Sequence, residues 1–249
     1  MTPSLLAQLS DPHVRLDDDG ASARALEAAV EAVLALRPLP QAVLVTGDIA
    51  NGGDAREYER VRELLAPLTM PVHVLPGNHD DRDLLREHFG LDGAGAPGEP
   101  LQYTARCGEL RVVVCDTMRP GRDDGELRRD WLQAQLAAEP EPPTIVAVHH
   151  VPLTIGLPVL DEIGLPAGDR DWLAELLARS PHVRRVVGGH VHRTVVGTLG
   201  GCGVLACTSN HLQARLEIGT PELSWVPEPA AFALHALLDG ELVSHVQPI

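Results

Sequence analysis

Short apolar runs alternate with amphipathic stretches through the first two-thirds of the chain. Leu5–Leu9, Ala42–Thr46, Val72–Leu75, Thr144–Val148 and Val183–Val187 read as buried strands. Between and after them, Ser22–Leu36, Ala55–Leu65, Asp81–Phe89, Glu126–Ala138 and Asp169–Ala178 carry helical periodicity. Asp54 is placed to cap the second helix, and Arg37–Pro38 to stop the first. Leu101–Arg106 and Leu110–Cys115 predict a hairpin around Cys107–Gly108. The stretch 91–100 is rich in glycine and proline and reads as a surface loop. Val151–Gly168 holds three prolines and three glycines without a helical pattern, and loops of that length usually carry function. From about residue 194 the pattern changes to short β segments: Thr194–Leu199, Val204–Cys207, Ala231–Leu237 and Glu241–Val246, the last two joined at Asp239–Gly240. This order predicts an α/β fold, two packed β-sheets flanked by helices, in one domain spanning residues 1–249. The strand-rich part from about residue 194 is expected at the substrate site or an oligomer interface.

Composition narrows the function. A formal charge of −15 argues against binding a nucleic-acid polymer, which needs clustered Lys and Arg. Aromatic residues make up only 3%, so no platform for stacking single strands or a nucleobase is evident. No run approaches the length of a membrane span, and Met1–Ser10 leaves no room for a signal peptide, so the expectation is a cytoplasmic protein. Cys107, Cys115, Cys202 and Cys207 lack CxxC spacing and read as buried free thiols. An acidic chain still binds a small anion when cations supply the local charge.

Such cations have an obvious place. Asp11 and His13, Asp48, Asn78, His149, then His190 and His192 each fall where an apolar run ends. Aspartate, imidazole and an amide carbonyl suit Mn, Fe, Zn or Co. Seven donors are too many for one four-coordinate ion, but they suit two ions if one carboxylate bridges. Gly47-Asp48 allows close backbone approach, and a carboxylate can span two cations with its two oxygens. Asp11-Pro-His13 and His190-Val191-His192 each set two donors two residues apart.

Asp11-x-His13, Gly47-Asp48, Gly77-Asn78-His79-Asp80, His149-His150 and Gly189-His190-Val191-His192 together resemble the signature of the calcineurin-like metallophosphoesterases. Within that group the chain is most similar to class III cyclic-nucleotide phosphodiesterases and bacterial glycerophosphodiesterases, with Val151 standing where relatives often carry a proline. The resemblance implies a four-layer αββα sandwich and two divalent ions. One would lie on Asp11, His13, Asp48 and His192, and the other on Asp48, Asn78, His149 and His190. A water bridging the ions would become hydroxide and attack the phosphorus of a small soluble diester. His79 is the candidate to bind the phosphate or protonate the leaving oxygen, and Asp80 to orient His79 or a ligand imidazole. His211 and Asp161 are candidate substrate contacts, and His150 is expected to point away from the ions. Trp131, Trp172 and Trp225 are assigned to packing. The resemblance also implies a homo-oligomer. A silent scaffold and a phosphomonoesterase are the alternatives, the latter disfavoured because no Lys or Arg lies inside the motifs.

Overall fold

Strand β1 (Ser4–Leu9) is buried along its whole length because both of its faces meet apolar layers. A computed structural model describes residues 3–91 and 93–249; residues 1–2 and position 92 of the expected 91–100 loop lie outside it. The chain continues through α1 (Ala21–Leu34), β2 (Ala42–Thr46), α2 (Ala55–Leu65), β3 (Val72–Leu75), α3 (Arg82–Phe89), β4 (Tyr103–Cys107) and β5 (Leu110–Val114). It then forms α4 (Arg129–Ala138), β6 (Thr144–His150), α5 (Pro158–Glu162), α6 (Ala167–Ala178) and β7 (Val183–Gly189). The remainder is β8 (Val195–Leu199), β9 (Cys202–Ala206), β10 (Gln213–Ala214), β11 (Trp225–Val226), β12 (Ala231–Leu238) and β13 (Glu241–Pro248).

Two mixed sheets form, in the orders β13-β12-β1-β2-β3 and β4-β5-β6-β7-β9-β8, with β10-β11 as a separate ribbon. Alternate residues of each strand serve different layers. Ala7, Leu9, Val43, Val45 and Val74 face α1–α3, meeting Leu26, Val30, Val33, Val61 and Leu85. Val146, Val148 and Val186 face the other helices, meeting Leu132, Leu160, Leu173 and Leu176. Leu6, Leu44 and Leu75 of the first sheet meet Val112, Val114, Ile145 and Val187 of the second. The result is the expected four-layer αββα sandwich, with β1, β2 and β3 parallel in one sheet and β5, β6 and β7 parallel in the other. Among the described residues no helix is long and apolar enough to cross a membrane. All four cysteines are free and buried.

Most predicted elements appear within two residues of their expected limits. Asp54 caps α2 in a full capping box with Glu57. Two corrections concern helices. α4 begins at Arg129 and not at Glu126: its first helical bond runs from Leu132 N to Arg128 O, while the amides of Glu126 and Leu127 bind Thr117 O and the Asp169 carboxylate. The 151–168 stretch is not all loop. Pro158 opens the five-residue α5, and α6 starts at Ala167. The part beyond residue 194 divides: β8 and β9 extend the second sheet, while β12 and β13 return to the first beside β1.

A polar thread crosses the apolar space between the sheets. Gln8 Nε2 donates to Thr46 Oγ1 at 3.0 Å and to Gly188 O at 2.9 Å. His235 Nε2 donates to Gln8 Oε1 at 3.0 Å, and its Nδ1 accepts from Ser244 Oγ at 2.7 Å. Burial, with a smaller contribution from Arg185, pushes the His235 pKa down to about 3, so the folded ring is neutral. The unfolded chain's histidine titrates near its ordinary value of about 6.5. Between those values the unfolded state takes up a proton that the folded state refuses, so this residue's contribution to stability is lost as pH falls. His235→Gln should therefore lower the urea midpoint at pH 7 yet flatten its decline from pH 6.5 to 4. Parallel declines in variant and parent would assign the acid sensitivity to other groups.

Candidate metal centre

Five strands of the two sheets deliver donor residues at their C-terminal ends. Asp11 and His13 follow β1, Asp48 follows β2, Asn78 follows β3, His149 is the penultimate residue of β6, and His190 and His192 follow β7. The two loops after β1 and β2 run side by side, with Asp11 N, His13 N and Val14 N donating to the carbonyls of Gly47, Asp48 and Ile49. In β6 the pairing with β7 slips by one residue between Ala147 and His150, a bulge at the edge of the site. Asp11, His13, Asp48, His190 and His192 all have positive φ, between 43° and 68°. Such angles are uncommon for side chains with a Cβ and concentrate where function requires a particular aim. A Cβ at Gly77 would collide with the amide nitrogen and Oδ1 of Asp48, and one at Gly189 with Ser10 Oγ and Asp11 Oδ2.

The donors turn toward one another. His149 Nδ1 donates to Thr46 O at 2.8 Å and His192 Nδ1 to Leu212 O at 2.7 Å, so each ring turns its Nε2 inward. His192 Nε2 lies 3.0 Å from His13 Nε2. Asp48 Oδ2 lies 3.3 Å from both His13 Nε2 and His149 Nε2. Asn78 Oδ1 lies 3.1 Å from His149 Nε2 and 3.0 Å from His190 Nδ1. Oxygens and ring nitrogens this close are accommodated by positive charge among them, whether protons or cations. The titration of the groups says the same. Burial alone would lower the His149 pKa, but the Asp48 and Asp11 carboxylates outweigh it and raise it. Burial would raise Asp48, yet His149 and His13 hold it well below the usual carboxylate range. These residues could therefore hold cations, and Asp11, His13, Asp48 and His192 bring donor atoms within 4.8 Å of one another. The sequence allowed Asp48 to span two ions with two oxygens. In the fold Oδ1 accepts the His79 amide at 3.0 Å, which leaves Oδ2 alone between the histidines.

The neighbouring candidates separate clearly. His79 Nδ1 donates to Asn51 O at 2.9 Å, and the ring lines the cavity over the donor cluster, 4.7 Å from His13 between centroids. Asp80 touches no imidazole. Its carboxylate accepts from the amides of Ile49, Ala50 and Gly77 and from Tyr58 Oη, tying together the loops that carry Asp48 and Asn78. His150 is close to His149 and His190, but its nitrogens are engaged by Thr117 Oγ1 and Asp123 O, each at 2.9 Å. The Asp161 carboxylate accepts from the amides of Ile155 and Gly156 and does not line the cavity; it fixes the turn before α5 instead of reaching substrate. His211 does line the cavity.

That cavity, about 310 Å³, has further walls the sequence reading passed over. Leu160 and Ile163 from the α5 region, with Leu212, Leu223 and Trp225, form an apolar side. Arg15 and Asn51 add polar groups. Arg15 continues the spacing of Asp11 and His13, a signal that was available in the sequence. It lies outside the motifs, two residues beyond His13, and brings a cation to the cavity. Trp225, assigned to packing, lies against His192 with ring centroids 4.6 Å apart. Trp131 and Trp172 do pack against the second helical layer.

A family model described as calcineurin-like phosphoesterase matches residues 5–194. The chain belongs to that family. It is 34% identical over 218 residues to the 3′,5′-cyclic adenosine monophosphate phosphodiesterase CpdA of Pseudomonas aeruginosa, covering 84% of this chain and 77% of that protein. It is 29% identical over 240 residues to the probable glycerophosphodiester phosphodiesterase GpdQ of Arcobacter nitrofigilis, covering 93% and 88%. Purple acid phosphatase PPD1 of yellow lupin shares the fold, with a TM-score of 0.70 at 16% identity, over 99% of this chain and 52% of that one. The calcineurin-like chain thus spans about half the length of the lupin enzyme.

Gly77→Ala tests the crowding directly. Forcing a methyl against Asp48 should cost about 1–3 kcal/mol of stability and lower bound metal per chain in the purified protein. A variant with full metal content and unchanged melting would show that the two loops have room to separate.

Proposed function

We propose that this calcineurin-like chain is a phosphodiesterase acting on small diesters with two divalent cations. One ion would be held by Asp11, His13, Asp48 and His192, and the other by Asp48, Asn78, His149 and His190. The observation that carries this is the position of Asp48 Oδ2, 3.3 Å from a histidine of each set. The second set excludes His150 because its nitrogens are already engaged. Mn, Fe, Zn and Co all suit these donors. When bound, the ions would supply positive charge that polarises the phosphoryl group and acidifies water.

The chain's own residues supply the rest. Asp80 keeps the Asp48 and Asn78 loops in register through three backbone amides. Ser10 Oγ donates to Asp11 Oδ2 and so orients that carboxylate. His79 gives its Nδ1 proton to Asn51 O, so only the protonated ring carries a second proton, on Nε2, for a departing alkoxide. His211 and Arg15 stand where they can meet the charged oxygens. Relatives named for glycerophosphodiesters and for a cyclic nucleotide support a diester substrate. The four free cysteines fit work in the cytoplasm.

Turnover of bis(p-nitrophenyl) phosphate with added Mn²⁺ should exceed that of the monoester, and folded protein inert with every divalent metal would refute the proposal. Asp48→Ala should abolish turnover and deplete both ions; two metals retained would contradict the shared carboxylate. His79→Ala should keep its metal and slow diesters with poor leaving groups by about 10²–10⁴. Lack of rescue by a leaving group of low pKa would assign His79 to phosphate binding.

A further inference from the structure

Four rings that line the cavity are linked as neighbouring pairs. Trp225 lies 4.6 Å from His192, His192 4.9 Å from His13, and His13 4.7 Å from His79, all between centroids. The two middle rings belong to the donor cluster, so a phosphate held there has His79 beside one of them and the indole beside the other. Trp225 remains 46% exposed, which leaves much of its surface open beyond its contact with His192. Leu160, Ile163, Leu212 and Leu223 line the same cavity and shape an apolar slot beside it.

The ribbon that carries the indole is well anchored. Trp225 pairs with Ala214 across the β10–β11 ribbon, and Arg215 N donates to Ser224 O at 2.8 Å. Gln213 Nε2 ties the ribbon to Ser209 O at 2.8 Å, while Arg193 reaches both Ala214 O and Glu228. A large exposed aromatic on an anchored ribbon, facing a cavity, is a recognition element more readily than a core residue. It also lies outside residues 5–194, the span that the family model matches.

We propose that Trp225 is a specificity-determining residue: a planar aromatic group on the alcohol part of the diester lies against its indole, as a nucleobase would. The inference rests on the phosphodiesterase reading above. A glycerol-based diester has no flat apolar surface to place there and gains little from the ring. Low overall aromatic content therefore does not remove a base-binding surface, because one indole at the right place suffices.

The test compares 3′,5′-cyclic AMP with glycerophosphoethanolamine as substrates of the Mn²⁺-loaded parent, Trp225→Ala and Trp225→Phe. Trp225→Ala should lower kcat/KM for cyclic AMP by about tenfold, mainly through KM. It should leave glycerophosphoethanolamine within about twofold, since a diester without a π face forms no stack. Trp225→Phe should retain most of the cyclic AMP activity. Equal losses on both substrates, or none, would overturn the proposal and leave the ring as a cover for His192. If the parent turns over neither diester, the phosphodiesterase reading falls, and calorimetry with 5′-AMP and glycerol 3-phosphate decides the wall by itself. Tighter binding of AMP that disappears in Trp225→Ala would uphold it; equal affinities would end it.

Discussion

Buried carboxylates and imidazoles packed so closely that they demand positive charge among them are the constraint around which the fold is arranged. His13, His149 and His192 turn their Nε2 atoms toward the carboxylates of Asp48 and Asp11 and the amide oxygen of Asn78. No arrangement of neutral imidazoles satisfies that cluster, so it is held in place from behind. Thr46 O and Leu212 O fix two of the rings, and Ser10 fixes a carboxylate. Five left-handed backbone angles among the donors measure what the surrounding sandwich must stabilise. The buried strands supply that stability, since their side chains on both faces are engaged before the loops begin.

Much of this was legible in the sequence because strand ends and donors coincide. Runs such as Ala42–Thr46 and Thr144–Val148 are buried on both faces, and the same pattern that marks a buried strand marks where its loop starts. The helices with a capping residue, such as α2 behind Asp54, were equally plain. Other features had no local signature. β10 and β11 are two residues each, too short to show an alternation, and they bring Trp225 to the cavity only through a long-range pairing. The roles of Asp80 and Asp161 were also hidden. A carboxylate near the donors looks catalytic in a linear reading, whereas both are spent on backbone amides that no sequence pattern displays.

The cavity shows how a shared reaction centre can serve different substrates. The donor cluster comes from strand ends, while the apolar side draws on α5, within the span matched by the family, and on the β10–β11 ribbon, beyond it. Asp161 contributes at one remove, since the turn it closes sets α5 and thereby Leu160 and Ile163. In the proposed reading, the groups that hold the ions and those that would meet the rest of the substrate come from different loops.

Asp11, His13, Asp48 and Asn78 hang from one sheet, whereas His149, His190 and His192 hang from the other. Each proposed cation would take ligands from both, and so would rivet the two halves of the sandwich at one rim. Whatever the affinity of those ions, it adds to the cohesion of the whole molecule through mass action. Chelation would then do more than silence the enzyme: it would unfasten the rim, and the sheets would begin to part there, at the end where their polar loops meet.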